Sequence, residues 1–155
     1  MARDLQHDLK MTRPFDSLAQ EAHLNIARAA AELEHTFEAA FKAHGVTNTQ
    51  FNVLRILRGA GADGLCRAEI GERMLRRVPD VTRLLDRLEQ AKLITRERVG
   101  DDRRFVATRI TAKGLALLDR LDDDVHALHE KLTKHMTSAQ LKTLVQLVSE
   151  LREPL

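Results

Sequence analysis

Between Pro79 and Ile94 the chain runs Pro79-Asp80-Val81-Thr82-Arg83-Leu84-Leu85-Asp86-Arg87-Leu88-Glu89-Gln90-Ala91-Lys92-Leu93-Ile94. Val81, Leu84, Leu85 and Leu88 recur at helical spacing and share one side. The opposite side carries Asp80, Thr82, Arg83, Asp86, Arg87 and Gln90. Pro79 suits a first helical position, where its missing N–H would have no intrahelical partner. A helix is therefore expected over about 79–91. Beyond it the apolar period changes from helix-like to strand-like. Ile94–Val99 and Phe105–Ile110 predict two strands, and Gly100-Asp101-Asp102-Arg103-Arg104 between them suits a hairpin loop.

Upstream, Arg67–Met74 predicts a short helix with Ile70 and Met74 inward, followed by the turn Leu75-Arg76-Arg77-Val78. The order helix, turn, helix, hairpin is that of a winged helix-turn-helix, whose second helix enters the major groove of DNA. Further out the pattern is purely helical. Leu18, Ala22, Ile26, Ala29, Leu33, Phe37 and Ala40 form a stripe from Phe15 to a stop at Gly45, with Asp16 or Ser17 as cap. A second helix follows Thr47-Asn48-Thr49, with Phe51, Val53, Leu54, Ile56 and Leu57 as apolar positions, and breaks at the glycines from Gly59 to Gly64. After Thr111, the residues Leu118, Leu121, Val125, Leu128 and Leu132 repeat like a heptad seam. A last helix with Leu141, Leu144, Val145, Val148 and Leu151 is expected, with Ser138 as its cap.

The fold class expected is mainly α with a small β-hairpin. Residues 1–14 lack periodicity and predict a mobile arm. Residues 15–45 and 111–155 predict a helical dimerisation region, and 46–110 a winged helix-turn-helix lobe. Three amphipathic helices at the two chain ends need a partner surface.

The 155 residues are 43% hydrophobic, enough to build a core. A single cysteine excludes an intrachain disulfide and a four-cysteine zinc site. With no Trp, no Tyr and five Phe, base stacking is a poor basis for binding nucleic acid. No apolar run approaches the ~20 residues of a membrane span, and the first residues do not resemble a secretory signal, so a cytoplasmic location is expected. The net charge of +2 conceals a segregation. Residues 66–113 hold thirteen Lys/Arg against eight Asp/Glu, whereas 1–65 hold seven against eight and 114–155 five against seven. Twelve of the thirteen basic residues are expected to face solvent, Arg109 being ambiguous. A basic surface confined to one module is the footprint of a phosphate-binding element.

Several stretches resemble the multiple antibiotic resistance regulator (MarR) family. They are Val81–Glu89 as recognition helix and Ala91-Lys92-Leu93-Ile94 as the turn into the wing. Asp101-Asp102-Arg103-Arg104 followed by Arg109-Ile110-Thr111-Ala112-Lys113-Gly114 is similar to the wing signature, and Thr47-x-x-Gln50-Phe51-x-Val53-Leu54 to the second helix. The likeness covers about residues 15–153. Two departures stand out: the turn lacks a glycine, and Val78 occupies a place where the family often has Ser.

The resemblance implies a homodimer that reads a palindromic operator in double-stranded DNA. It also implies a repressor released by a small aromatic or phenolic ligand. Arg83 is the first choice for a base contact, bidentate to guanine. Thr82 suits a phosphate or a thymine methyl, and Arg87 lies on the same exposed side. Asp80 suits either cytosine N4 or the positive end of the helix dipole. Arg76 and Arg77 suit phosphates, which position without specifying. In the wing the resemblance implies that Arg104 meets DNA, that Asp102 orients it as an ion pair, and that Arg103 adds a phosphate contact.

Cys66 is read as a small apolar residue, the family's peroxide-sensing cysteine lying elsewhere. His126 and His129 are read as solvent-facing, and Asp122-Asp123-Asp124 as a solvated helix face. Neither a metal nor a cofactor is expected. No phosphate loop, nucleophile elbow or HExxH motif points to an enzyme. Two alternatives stay open: a helical dimeric interaction protein, and a metal- or thiol-responsive regulator of the same fold.

Overall fold

The computed structural model describes residues 4–98 and 106–153. A single helical turn, α1 (Leu5–Asp8), is capped by Asp4 and buries Leu5. The expected arm is thus partly ordered: one well-placed leucine anchors a segment too short to show a period. The long helix α2 (Leu18–Lys42) starts at Ser17, whose hydroxyl accepts the Gln20 N–H at 3.1 Å. Then come α3 (Asn48–Ala60), a 3₁₀ turn (Gly61–Asp63), α4 (Arg67–Arg73) and α5 (Val81–Gln90). The antiparallel hairpin β1 (Ile94–Arg98) and β2 (Val106–Ile110) pairs Ile94 with Ile110 and Arg96 with Thr108. The chain closes with α6 (Ala112–Thr133) and α7 (Ser138–Leu151).

Two helix starts differ from expectation. α5 begins at Val81, because Asp80 has a non-helical backbone (φ −134°, ψ 81°) and its carboxylate accepts the Arg83 N–H at 2.9 Å. Pro79 therefore lies outside the helix. α7 is capped by Thr137, not Ser138, in a reciprocal box with Gln140: the Thr137 N–H donates to Gln140 Oε1 and the Gln140 N–H to Thr137 Oγ1.

The core lies where α2, α3, α5, α6 and the hairpin meet. Phe41, Leu54, Leu57, Ile70, Leu85, Leu88, Ile94, Leu118 and Leu121 are almost fully buried within one cluster. On α5, Leu85 and Leu88 are buried and Val81 and Leu84 half-buried, as the helical spacing requires. α6 is joined to α3 by Arg58, which donates to Asp122 at 2.7 and 3.2 Å. That bond holds the Asp122 carboxyl below the usual carboxylate range. Asp124 meets His44 at 2.9 Å. Two of the three consecutive aspartates are thus cross-helix partners, because α6 turns them toward α3 and the end of α2.

The stretch Ile110-Thr111-Ala112-Lys113-Gly114 has a physical reason for its form. The Thr111 hydroxyl accepts the Gly114 N–H at 3.1 Å, which starts α6, and donates to the Lys92 carbonyl at 2.8 Å. The Thr111 N–H donates to the Leu93 carbonyl at 3.0 Å. Gly114 lies so close to this turn that a Cβ would collide with the Leu93 carbonyl oxygen and come within 2.7 Å of Ile110 Cγ1. Gly114→Ala is expected to destabilise the fold by about 1–3 kcal/mol, the usual cost of overpacking against a backbone that cannot yield. Thermal unfolding followed by circular dichroism checks this, with a fall of roughly 2–4 °C per kcal/mol. Gly64 is a second such position: it has φ +73° and sits against the Thr108 carbonyl, which a Cβ would approach to 2.6 Å.

Candidate nucleic-acid interface

α4, the turn after it and α5 form the helix-turn-helix. α5 is held from below by Leu85 and Leu88, which leaves Thr82, Arg83 and Arg87 exposed on its far side. Arg83 is the third residue of the helix, directly above the Asp80 cap. Arg67 of α4 reaches toward Thr82, Nη1 to Oγ1 at 3.4 Å. Arg77 is exposed in the turn. These residues give one end of the lobe a positive surface formed by a helix N-terminus and several arginines.

Three of the residues singled out in sequence have definite partners. Arg76 is ion-paired to Glu34 of α2, so its guanidinium is shared with the long helix. Asp80 is the cap of α5, the second of the two roles considered for it. Asp86 turns away from the Arg83 side and accepts from Arg96 at 2.6 Å. Asp102, Arg103 and Arg104 lie outside the described residues.

Two basic residues of the module prove to be structural. Arg109 donates from Nε to the Ala62 carbonyl at 2.7 Å and meets Glu97 at 3.3 Å. Arg96, expected to face solvent, is half-buried between β1 and α5. It donates to Glu89 at 3.0 and 2.5 Å as well as to Asp86. The carboxylates of Glu89 and Asp86 hold its guanidinium even further above the range in which it could lose a proton. The sequence did contain a signal: two acids three residues apart on an otherwise basic helix, with an arginine on the next strand.

A cleft of about 510 Å³ opens between α2, α3, α6 and the end of α4. Phe37, Phe41, Phe51 and Ile56 line its apolar part; Asn48, Asn52, Arg55, Arg73 and His129 supply polar groups. Phe41 and Phe51 stack at 4.4 Å, and the Arg55 guanidinium sits 5.9 Å from the Phe51 ring centre. His129 lies 5.0 Å from Phe37 by ring centres, whereas His126 meets Glu130 at 3.5 Å. The two histidines therefore serve different partners. Cys66 is half-buried at the start of α4, where its N–H donates to Glu69 at 2.7 Å. That bond lowers the Glu69 pKa.

Comparison with known proteins agrees with this arrangement. Residues 44–104, which contain α3 to α5 and the first wing strand, match the MarR family. The chain is 32% identical over 123 residues to YkoM, an HTH-type transcriptional regulator of Bacillus subtilis (strain 168), covering 76% of this chain and 77% of that protein. The crystal structure of a MarR transcription factor from Planctomyces limnophilus is 34% identical, with a TM-score of 0.68 over 88% of this chain and 98% of that one. An E. coli MarR variant complexed with operator DNA has a TM-score of 0.77 at 24% identity, over 88% and 99% of the two chains. NadR in complex with 4-hydroxyphenylacetate has a TM-score of 0.69 at 24% identity, over 91% and 99%. With identities of 32% and 34% to relatives that cover more than two thirds of it, the chain belongs to the MarR family of DNA-binding transcription regulators.

Proposed function

We propose that the protein is a cytoplasmic homodimeric repressor that reads a palindromic operator and is released by a small aromatic acid. The observation that carries this is the exposed side of α5, where Thr82, Arg83 and Arg87 stand together above a buried leucine face. In this reading Arg83 takes a guanine, Thr82 and Arg87 take the neighbouring methyl or phosphates, and Arg77 takes backbone phosphate. Arg76 joins it only by leaving Glu34. Arg103 and Arg104, the latter paired with Asp102, reach the flanking backbone or minor groove. Asp80 acts as the cap.

Residues 46–110 form the reading lobe, and 15–45 with 111–155 the dimerisation region. α7 supports the dimer: it buries none of its residues, and a 14-residue helix is marginal in water without a packed face. The cleft supports the ligand. Stacked phenylalanines accept an aromatic ring, and Arg55 and Arg73 offer cations to its carboxylate. Because α2 and α6 line one side and α3 and α4 the other, an occupant touches both regions. It favours release only by binding better to a lobe spacing that does not fit the operator.

The test is an electrophoretic shift with double-stranded DNA from upstream of the protein's own gene. Sequence-preferring binding that weakens steeply between 50 and about 200 mM salt is expected, and relief by millimolar 4-hydroxyphenylacetate or a related aromatic acid. Equal affinity for unrelated DNA would sink the operator reading; binding indifferent to every aromatic acid tried would sink the release mechanism alone.

A further inference from the structure

Each end of the helix-turn-helix is fastened to the same hairpin. Leu65, two residues before α4, exchanges backbone bonds with Thr108 of β2: the Thr108 N–H donates to the Leu65 carbonyl at 2.8 Å and the Leu65 N–H to the Thr108 carbonyl at 3.0 Å. Thr108 is buried and is the cross-strand partner of Arg96. Arg96 in turn grips α5. Its backbone N–H donates to Glu89 Oε1 at 3.1 Å, its Nε to Glu89 Oε2 at 3.0 Å, and its Nη2 to Asp86 Oδ1 at 2.6 Å and Glu89 Oε2 at 2.5 Å. The C-terminal end of α5 is separately pinned, since Lys113 and Thr111 bind the carbonyls of Ala91 and Lys92. A helix fixed at one end can still roll about its axis. A guanidinium gripping two side chains one turn apart stops that roll.

The acids matter electrically as well. At 3.6 residues per turn, Asp86 lies only about 60° around the helix from Arg83. Left unpaired, its carboxylate would point near the surface on which Arg83 and Arg87 stand and would repel phosphates within a Debye length of roughly 8 Å.

We propose that Arg96 is a positioning residue for DNA recognition: it fixes the roll of α5 against the wing and draws the Asp86 and Glu89 carboxylates away from the DNA-facing side. This rests on the reading that α5 enters the major groove. Arg96 itself touches no base. It acts through the direction in which Arg83 and Thr82 point, so its loss degrades discrimination more than attachment.

The experiment measures the full-length protein on two duplexes of equal length: one enriched from a random pool by the wild-type protein, and one scrambled. Arg96→Gln is expected to lower the ratio of the two affinities by about tenfold or more, the scale of misplacing one bidentate base contact. Affinity for the scrambled duplex changes much less, and the slope of log affinity against log salt stays near the wild-type value. If both duplexes weaken equally and the slope falls by about 0.9 per protomer, Arg96 is a phosphate contact and the proposal is overturned. An unchanged ratio in a variant with wild-type circular dichroism also overturns it.

Should Arg96→Gln fail to fold, the double variant Asp86→Asn/Glu89→Gln removes the grip from the other side. Positioning predicts a lower ratio together with tighter binding to scrambled DNA, because negative charge has been removed; tighter binding to both with the ratio kept would refute it. Arg83→Ala separates this proposal from the reading beneath it. If that variant keeps the wild-type ratio, α5 does not read the groove and the underlying assignment fails. If it loses the ratio while the Arg96 and the double variants keep theirs, only the role of Arg96 fails.

Discussion

Arg83→Ala is expected to abolish most of the preference for the operator while leaving the fold and the oligomeric state unchanged. The side chain is exposed, and the cap bond from the Arg83 backbone N–H to Asp80 is one that alanine retains. A recognition helix reaches deepest with its N-terminal residues, and Arg83 is the third residue of α5. A bidentate arginine–guanine pair discriminates by about 1–3 kcal/mol, and a dimer on a palindrome uses it twice, giving about 2–6 kcal/mol. Fluorescence anisotropy with matched and scrambled duplexes checks this. The contrast is Arg77→Ala, which is expected to weaken both duplexes alike and to flatten the salt dependence by about 0.9 per protomer. If Arg83→Ala behaves as Arg77→Ala does, Arg83 touches backbone and the bases are read elsewhere.

The distinction between those two arginines was legible in the sequence because it follows from helix periodicity. Leu85 and Leu88 must go inward, so Arg83 and Arg87 must go outward, and Arg77 falls in the turn between helices. The hairpin and the long outer helices were legible for the same reason. The side-chain pairing of charges was not. In a sequence each charged residue looks equally suited to solvent. Only the fold reveals that Arg96 meets Glu89 and Asp86, that Arg76 meets Glu34, or that Asp122 meets Arg58 across 64 positions of chain. The start of α5 lies two residues later than expected because Asp80 is its cap, and that of α7 one residue earlier because Thr137 and not Ser138 caps it. The aromatic cleft was missed because its lining comes from four helices, and each phenylalanine taken alone suits the core equally well.

Leu144→Glu combined with Leu151→Glu is expected to convert the protein to a monomer and to remove operator binding at concentrations where the wild type is saturated. Both leucines lie on one side of α7, seven residues apart, and are 46% and 65% exposed in the single chain. Leu147, between them, is 57% exposed, so the side is continuously apolar. On a helix that buries none of its residues, such a face is left largely unpacked within its own chain. In the proposed dimer a fully exposed leucine would contribute about 1.5–3 kcal/mol on burial; scaled to the surface these two still expose, the four leucines of both copies contribute about 3–7 kcal/mol, before counting the cost of burying the new carboxylates. A dimer of ordinary affinity does not survive that loss. Sedimentation velocity should show the mass halved. The core cluster of Phe41, Leu54, Leu57, Ile70, Leu85, Leu88, Leu118 and Leu121 draws no described residue from α7, so the cooperative unfolding of the protomer should persist. Operator binding falls with the dimer because two half-sites bound through one linked body gain an effective concentration that two separate lobes do not have. A double variant that stays dimeric would place the interface on another face; one that is monomeric yet binds the operator at full affinity would show that the two half-sites are read independently.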